Sequence, residues 1–355
     1  MTCYFLFPNL NAGGAERVCI TYAKLLKKHG VNVVFIDFGM GKGPMIKWID
    51  GEFEIVSLRC RRVLAGIARL TAFIKSHPGE MMFSSLEHTS IVGIIVSRRT
   101  KIPIVVRLPN MPKNVLHHGY GGLKWKIIKG INQRILHYAR FIIGQSEAMR
   151  NEIIDYYHLN PQKVVAINNP VDKEFILASA QGMSNPYETG KINFLTVCNV
   201  DYRKGVDILI DAFSIVKRQL PHARLTIIGR IDSDYAKSII AHVKEQDEVR
   251  FLGFKHNPYP YMRDCDVFVL PSRMEGFPNV LLEAMCFDRP AVATTCVPVI
   301  QQLITPGKNG YYCEVEDVLS LAHSMIKATS LQYICNHYEL FDQQKFLNLF
   351  TQTIQ

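Results

Sequence analysis

Two series of short apolar runs alternate with longer amphipathic segments along this chain, and a polar stretch separates the two series. Residues 102–107 and 140–143 belong to the first series, and residues 193–198 and 267–270 belong to the second. Strands that alternate with helices form parallel sheets with helices on both faces. A chain of 355 residues is also too long for one ordinary core. The sequence therefore predicts an α/β protein with two doubly wound domains.

The break between the two series lies between Pro170 and Lys191, where Asn, Gly, Ser and Pro interrupt the pattern. We predict a first Rossmann-like domain over residues 1–172 and a second over residues 173–335. Residues 336–355 carry apolar side chains at helical spacing, which predicts a C-terminal helix.

Positive charge is concentrated in the first half. Residues 1–172 contain 23 Lys and Arg against 11 Asp and Glu, whereas residues 173–355 contain 18 against 20. This asymmetry favours an anionic partner for the first domain, either a nucleic acid, a phosphorylated substrate or an anionic membrane surface. Ordinary surface solubility is the alternative. We find no nucleic-acid-binding module. The basic segment 122–140 fits an interfacial helix on anionic lipid or a core helix with a solvated face.

Other features narrow the class of protein. No apolar run approaches the length of a membrane span, and the N-terminus lacks the basic region of a signal peptide. The nine cysteines are scattered without a C-x-x-C pair, which predicts reduced thiols in a cytoplasmic protein. Asp264 and Asp266 form a D-x-D pair, but they precede a strand and so lie at the wrong end of the sheet for a ligand. We therefore predict neither a metal site nor a cofactor.

The most informative motif is SRMEGFPNVLLE at residues 272–283. It follows the strand pattern at 267–270 and continues into a helix pattern that begins at Asn279. The turn 275–278 therefore lies at the carboxyl end of a strand, where α/β sheets collect ligands, and helix N-termini favour phosphate. Glu275 and Glu283 could accept hydrogen bonds from the hydroxyls of such a ligand.

Cations and glycines follow the other predicted strands of the second half. Arg203 and Lys204 lie between a strand and a helix start, which predicts a phosphate site. Gly229 and Arg230 follow the next strand and could add a third cation. The turn 253–255, which contains Phe254, could hold the edge of a base.

The first half offers two weaker candidates. Gly13 and Gly14 directly precede a helix pattern, so they permit close backbone approach to a ligand or merely a tight turn. Arg107 ends a predicted strand, where it is a site candidate or a satisfied loop arginine.

Taken together, these motifs resemble the family 4 glycosyltransferases, which are retaining enzymes with the GT-B fold. The resemblance covers essentially the whole chain and includes GGAER at 13–17, KG at 204–205, GF at 253–254, LPSRMEGFPNVLLEAM at 270–285 and NG at 309–310. It implies two Rossmann-like domains facing a central cleft, with the C-terminal helix crossing back to the first domain. An ordinary capping helix of the second domain is the alternative. Similar enzymes build bacterial capsule, O-antigen or related surface glycans.

The resemblance also implies roles. Glu283 would hold the donor ribose, Glu275 the donor sugar, and Lys204 the diphosphate, while Gly13 and Gly14 would line the cleft. The catalytic candidates are Glu275, Lys204 and Arg107. The predicted nucleotide-sugar site comprises Gly13, Gly14, Asn199, Arg203, Lys204, Gly229, Arg230, Phe254, Glu275, Gly276, Phe277, Pro278, Asn279 and Glu283.

The expected substrates are a UDP-sugar and a hydroxyl of a glycan or lipid-linked acceptor, at the inner face of the plasma membrane. Two departures stand out. Many members have Gly-Arg where this chain has Cys198 and Asn199, so Arg203 or Arg230 would substitute for the missing cation. Many members also have a His in the loop that here begins at Arg107. A weakly active partner subunit is one alternative, and a dinucleotide-dependent oxidoreductase is another, although G-x-G-x-x-G is absent.

Overall fold

A computed structural model describes residues 1–11, 13–49, 51–113, 130–244, 248–331 and 340–354. The chain divides into two compact units. The first comprises Met1–Pro170 together with Leu340–Gln355, and the second comprises Val171–Glu339. Residues 122–129 of the predicted basic helix 122–140 lie outside the described residues, whereas residues 130–135 are helical and Leu136–Tyr138 form a 3₁₀ turn.

The first unit is built on a parallel sheet of seven described strands in the order β3-β2-β1-β4-β5-β6-β7. Its strands are β1 (Thr2–Phe7), β2 (Asn32–Asp37), β3 (Glu54–Ser57), β4 (Met81–Ser84), β5 (Ile104–Arg107), β6 (Phe141–Gly144) and β7 (Val164–Ala166). Its helices include α1 (Gly14–Lys28), α2 (Ile46–Ile49), α3 (Ile67–Ser76), α4 (Glu87–Thr100) and α5 (Glu147–Tyr157).

Alternate side chains of β1 enter two different apolar layers. Phe5 and Phe7 face the layer that contains α1, whereas Tyr4 and Leu6 face the layer that contains α3 and α4. Successive side chains of a strand point to opposite faces, so a strand that is apolar throughout must be covered on both sides. β1 therefore lies in the interior of the sheet, between β2 and β4, with helices covering both of its faces.

The C-terminal helix α13 (Gln343–Ile354) belongs to the first unit. Phe346 stacks on Tyr22 of α1 with ring centroids 4.2 Å apart, and Phe350 lies 6.0 Å from Phe83 of β4. Phe346, Leu349 and Phe350 are buried in the same apolar layer as α1. The last helix therefore crosses from the end of the second unit back to the first.

The second unit contains a parallel sheet of six described strands in the order β10-β9-β8-β11-β12-β13. Its strands are β8 (Ile192–Val197), β9 (Ala223–Ile228), β10 (Val249–Phe251), β11 (Val267–Leu270), β12 (Ala291–Thr294) and β13 (Gly310–Cys313). Its helices include α6 (Lys173–Ala180), α7 (Val206–Gln219), α8 (Asp234–Ile240), α9 (Tyr259–Asp264), α10 (Asn279–Met285), α11 (Ile300–Leu303) and α12 (Val318–Ala328).

Two parallel sheets with helices confirm the predicted α/β class. A 3₁₀ turn, Val63–Gly66, precedes α3, and the helix predicted to begin at Asn279 runs to Met285. None of the described helices combines the length and apolar character that a membrane span requires.

Candidate active site

Lys204 and Glu275 meet at the carboxyl edge of the second sheet. Lys204 ends a 3₁₀ turn, Tyr202–Lys204, that follows β8, and Glu275 lies in the loop that follows β11, the neighbouring strand. Lys204 Nζ donates to Glu275 Oε1 at 2.7 Å, and Ser272 Oγ donates to the same oxygen at 2.7 Å. The two strongest sequence candidates therefore form one ion pair.

Close backbone contact holds the two loops together. Gly205 has φ +61°, and a Cβ at this position would lie 2.1 Å from the carbonyl oxygen of Pro271. The Arg203 carbonyl accepts hydrogen bonds from the N–H groups of Arg273 and Met274 at 2.7 and 3.2 Å. A side chain at Gly205 would push the loops apart, so the glycine after Lys204 is required for the ion-pair geometry.

Arg273 is a residue that the sequence reasoning missed. Its Nη1 and Nη2 donate to both carboxylate oxygens of Asp207 at 2.8 and 2.7 Å, and its Nε donates to Glu316 at 2.8 Å. Nη1 also donates to the carbonyl of Tyr202 at 2.8 Å. Arg273 thus connects the Glu275 loop to the start of α7 and to the turn before α12. The only sequence signal for a role of Arg273 was its place between Ser272 and Glu275 in the motif.

The charge of Lys204 is well defined. Burial alone would lower the pKa of Lys204, but the charge and hydrogen bond of Glu275 outweigh it, so its pKa is raised. Burial also raises the pKa of the nearby Cys198 and Cys296 thiols to about 12. Lys204 is therefore a cation at neutral pH, and the adjacent thiols add no negative charge.

The turn after Glu275 presents backbone donors. Within the described residues, the N–H groups of Glu275, Gly276 and Phe277 have no hydrogen-bond acceptor. Pro278 precedes α10, and Asn279 is its first residue. Because α10 is only seven residues long, its dipole is small and the turn supplies most of the donors.

Glu283 lies one turn into α10 and is only 9% exposed. A carboxylate is rarely buried without hydrogen-bonding partners. Its position in the helix that follows the Glu275 turn is the one that the motif at residues 272–283 predicted; Glu275 and Glu283 form an E-x₇-E pair within it.

The two arginines predicted to replace the missing cation differ. Arg203 Nη2 donates to Asp201 at 2.8 Å, so much of its charge is neutralised within its own turn. Arg230 is exposed, and its guanidinium lies 5.8 Å from the centroid of Phe254. The backbone N–H of Arg230 also donates to Asn199 Oδ1 at 3.4 Å. Arg230, Asn199 and Phe254 therefore form one neighbourhood at the ends of β8, β9 and β10.

Gly229 allows the backbone of this neighbourhood to pack closely. A Cβ at Gly229 would lie 1.8 Å from the carbonyl oxygen of Cys198, and the Gly229 N–H donates to the carbonyl of Gly253 at 3.0 Å. Only glycine permits such close approach of the turns after β8 and β9. The observed role of Gly229 is therefore structural, and its contact with a nucleotide sugar stays a prediction.

In the first unit, Gly13 is the N-cap of α1 and Gly14 its first residue. The Glu16 carboxylate folds back over this helix start, so that a Cβ on Gly13 would lie 2.5 Å from Glu16 Oε2. Burial raises the pKa of Glu16, although a backbone hydrogen bond and Arg107 oppose the shift. An anion approaching Gly13 and Gly14 would have to compete with this carboxylate.

Arg107 lies inside the first unit and is only 1% exposed. Its Nη2 and Nε donate to Asn169 Oδ1 at 2.7 and 3.2 Å, and its Nη1 donates to Ser85 Oγ at 2.7 Å. The observed role of Arg107 is to orient Ser85 and Asn169 at the carboxyl edge of the first sheet. Direct contact between Arg107 and a substrate stays a prediction.

Both carboxylates of the D-x-D pair make structural contacts. Asp266 Oδ2 accepts from the Asn193 N–H at 2.7 Å, and Asp264 pairs with Arg263 at 2.5 Å. Across the described part of the chain, no group of three or more His, Cys, Asp or Glu side chains is arranged to hold a metal ion.

Comparison with protein families matches both halves of the chain. A family model described as Glycosyltransferase Family 4 matches residues 12–175, and one described as Glycosyl transferases group 1 matches residues 191–330. These matches exclude the alternative interpretation of the chain as a dinucleotide-dependent oxidoreductase.

The relatives include bacterial glycosyltransferases. An N-acetylgalactosamine-N,N'-diacetylbacillosaminyl-diphospho-undecaprenol 4-alpha-N-acetylgalactosaminyltransferase of Campylobacter jejuni is 27% identical over 333 residues, which cover 88% of this chain and 86% of the relative. The capsular polysaccharide biosynthesis glycosyltransferase CapM of Staphylococcus aureus is 23% identical and covers 86% of this chain and 82% of its own.

Among solved structures, Anabaena Alr3699/HepE in complex with UDP-glucose superposes with a TM-score of 0.76 at 19% identity, covering 100% of this chain and 99% of its own. Together with the two parallel sheets, this likeness confirms the predicted GT-B fold. The chain is therefore a glycosyltransferase and belongs to family 4 of these enzymes.

Proposed function

We propose that the protein transfers a sugar from a UDP-sugar, with retention of anomeric configuration, to a hydroxyl of a lipid-linked glycan during bacterial surface-polysaccharide synthesis. The observation that carries the proposal is the Lys204–Glu275 ion pair beside the 275–277 turn, whose N–H groups have no acceptor among the described residues. The Campylobacter relative is named for a diphospho-undecaprenol acceptor, and the Anabaena protein binds UDP-glucose. Both support this choice of substrates.

Different residues of the site would bind different parts of the donor. Lys204 carries three N–H donors, of which Glu275 takes one, so two remain for the diphosphate. The 275–277 turn adds neutral donors. Glu275 would accept from a hydroxyl of the transferred sugar, and Glu283 from the ribose hydroxyls. Arg230 is better placed than Arg203 to supply the second cation, because Asp201 already neutralises Arg203.

The proposed reaction needs no protein nucleophile. The bond between C1 of the sugar and the diphosphate oxygen breaks, and a bond between C1 and the acceptor oxygen forms on the same face. The proton of the acceptor hydroxyl passes to the departing diphosphate oxygen. Lys204 and the backbone donors stabilise the negative charge that develops there, and the protein holds both reactants in register. Neither a metal nor another cofactor takes part in this scheme.

The first unit would hold the acceptor. Arg107 acts in this scheme as a positioning residue that fixes Ser85 and Asn169 at the carboxyl edge of the first sheet. A lipid-linked acceptor also requires the protein to work at a bilayer, so we place it at the inner face of the plasma membrane as a peripheral protein.

A panel of UDP-, GDP- and ADP-sugars tests the donor. We expect UDP-sugars to raise the thermal unfolding midpoint, and one of them to yield UDP and an α-linked product when the donor is α-configured. Bound ligand stabilises the folded state in proportion to its affinity. Product configuration is measured by NMR. Stabilisation by only GDP- or ADP-sugars would overturn the UDP assignment, and an inverted product would overturn retention. Binding without any transfer or hydrolysis would instead favour a non-catalytic partner subunit.

Arg273→Lys tests whether the Arg273 contacts position the ion pair. Lysine keeps the charge but cannot bind Asp207 through two parallel hydrogen bonds. We expect kcat to fall by roughly 10- to 100-fold, because small displacements of catalytic groups carry such costs. Kinetics and thermal unfolding are measured together.

The matched control for Arg273 is Arg224→Lys. Arg224 is 4% exposed in its side chain and pairs with Glu248 and Glu188 at 2.9 and 3.0 Å, at the opposite edge of the same sheet. We expect a similar loss of thermal stability without a change in kcat. Equal kcat values in the two variants would show that Arg273 matters only for folding.

A further inference from the structure

We propose that an exposed basic and apolar surface on the first unit docks the protein on an anionic lipid bilayer. This surface, called here the basic loop surface, is formed by the loops after β2 and β3. Its members are Met40, Lys42, Arg59, Arg61, Arg62 and Leu64. The inference deepens the proposed function, on which it rests for the lipid-linked acceptor, by naming the residues that meet the lipid.

Hydrogen bonds hold the two loops beside each other. The buried carboxylate of Asp37 accepts from the N–H groups of Gly39 and Gly41 at 2.8 and 2.6 Å, which presents Met40 at the tip of a turn. Ser57 Oγ donates to the Gly39 carbonyl at 2.8 Å, and the Cys60 N–H donates to the Phe38 carbonyl at 2.8 Å. The two loops therefore form one continuous, shaped surface.

Two large apolar side chains protrude from this surface. Met40 is 67% exposed and Leu64 is 58% exposed. A single exposed apolar side chain needs no explanation. Here, however, both protrude from loops whose backbone is fixed, since Arg69 Nη1 also donates to the carbonyls of Leu58 and Arg59 at 2.6 and 2.7 Å. Such side chains can insert at the boundary between headgroups and acyl chains.

The surrounding charge has one sign. Residues 38–49 and 55–69 contain six Lys and Arg and no Asp or Glu. Lys42, Arg59, Arg61 and Arg62 are exposed, and none joins an ion pair within the described part of the chain. Unpaired arginines around protruding apolar side chains complement an anionic bilayer, where each Lys or Arg near the surface strengthens binding roughly fivefold.

Position and composition favour lipid over nucleic acid. Neither loop places an exposed aromatic ring among the arginines, whereas single-stranded nucleic acids are held by aromatic stacking. The loops follow the carboxyl ends of β2 and β3, and all strands of this sheet are parallel. The basic loop surface therefore lies at the same edge as Gly13 and Arg107, where a lipid-linked acceptor would have to arrive.

Sedimentation of the full chain with vesicles tests the proposal. The wild type should bind vesicles that contain phosphatidylglycerol, bind pure phosphatidylcholine vesicles weakly, and lose affinity as salt is raised. Arg61→Glu combined with Arg62→Glu should weaken binding at least about 25-fold, since two favourable charges are lost. Met40→Ser combined with Leu64→Ser should weaken binding while its dependence on salt persists.

The matched control is Arg218→Glu combined with Lys308→Glu, which makes the same charge change at exposed positions of the second unit. It should bind vesicles like the wild type. The proposal is overturned if the Arg61 and Arg62 variant binds vesicles as the wild type does, or if the control variant loses binding equally. It is also overturned if binding does not depend on phosphatidylglycerol in the vesicles.

Release of UDP from the donor without vesicles separates this inference from the proposed function. It should be the same in the Arg61 and Arg62 variant and in the wild type. Absence of release in the wild type would refute the proposed function and leave vesicle binding as an independent result.

Discussion

Replacing Lys204 by alanine should lower the rate of sugar transfer by roughly 100- to 1,000-fold while the protein remains folded, because one preorganised donor to a developing charge contributes about this much. Lys204 is the only side-chain cation that touches Glu275 among the described residues, at 2.7 Å. The effect should appear in kcat, since charge on the diphosphate increases as the sugar leaves. Steady-state kinetics with the UDP-sugar that the donor panel selects measure the effect, and circular dichroism checks the fold.

A second Lys–Glu pair in the same unit provides the control. Lys191 Nζ lies 3.0 Å from Glu248 Oε1, and the two side chains are 24% and 26% exposed, compared with 22% and 9% for Lys204 and Glu275. Lys191→Ala should reduce stability by a similar amount and leave kcat unchanged. Lys204→Arg should retain part of the activity because it keeps the charge. If Lys204→Ala turns over normally, the site assignment is wrong.

Much of the fold follows from the sequence because strands such as β1 and β11 are apolar along their whole length. Buried parallel strands read as continuous apolar runs, and the helices between them show their own period. Three strands were not predicted: β3, β12 and β13. Each is four residues long. β11 is equally short, but EIVS, AVAT and GYYC mix apolar with polar or small residues, so no continuous apolar run marks them and only their pairing within the sheet identifies them.

The position of the site residues was predictable, but their contacts were not. Lys204 and Glu275 each follow a strand of a parallel sheet, so both had to lie at its carboxyl edge. Their ion pair joins residues 71 positions apart and depends on β8 and β11 being neighbours. Arg273 was missed for the same reason, because its partners Asp207 and Glu316 lie in distant segments.

Arg107 is a residue whose position was predicted but whose burial was not. Its place at the end of β5 was predicted, and the structure has it there. Its burial, however, results from the way α1 and Asn169 cover the strand end, which no local pattern encodes. A charged residue at a strand end is therefore a site candidate whose accessibility only tertiary structure decides.

Replacing Glu283 by alanine should weaken donor binding by roughly 100-fold or more, because two hydrogen bonds to a carboxylate contribute about 1.5–3 kcal/mol each. Glu283 is buried in α10, as are its neighbours Leu282 and Ala284. If it holds both ribose hydroxyls, binding is lost equally from the ground state and the transition state. The Michaelis constant should then rise while kcat changes little.

A donor analogue makes this test specific for the ribose. The wild type should bind UDP more tightly than 2′-deoxy-UDP, and Glu283→Ala should bind both with the same low affinity, as measured by calorimetry. Glu283→Gln should retain part of the discrimination because its amide oxygen still accepts. Glu174→Ala, at an exposed carboxylate in α6, should behave as the wild type. A Glu283→Ala variant that still prefers UDP would move ribose recognition to another residue, whereas equal affinities would place it at the second carboxylate of the E-x₇-E pair.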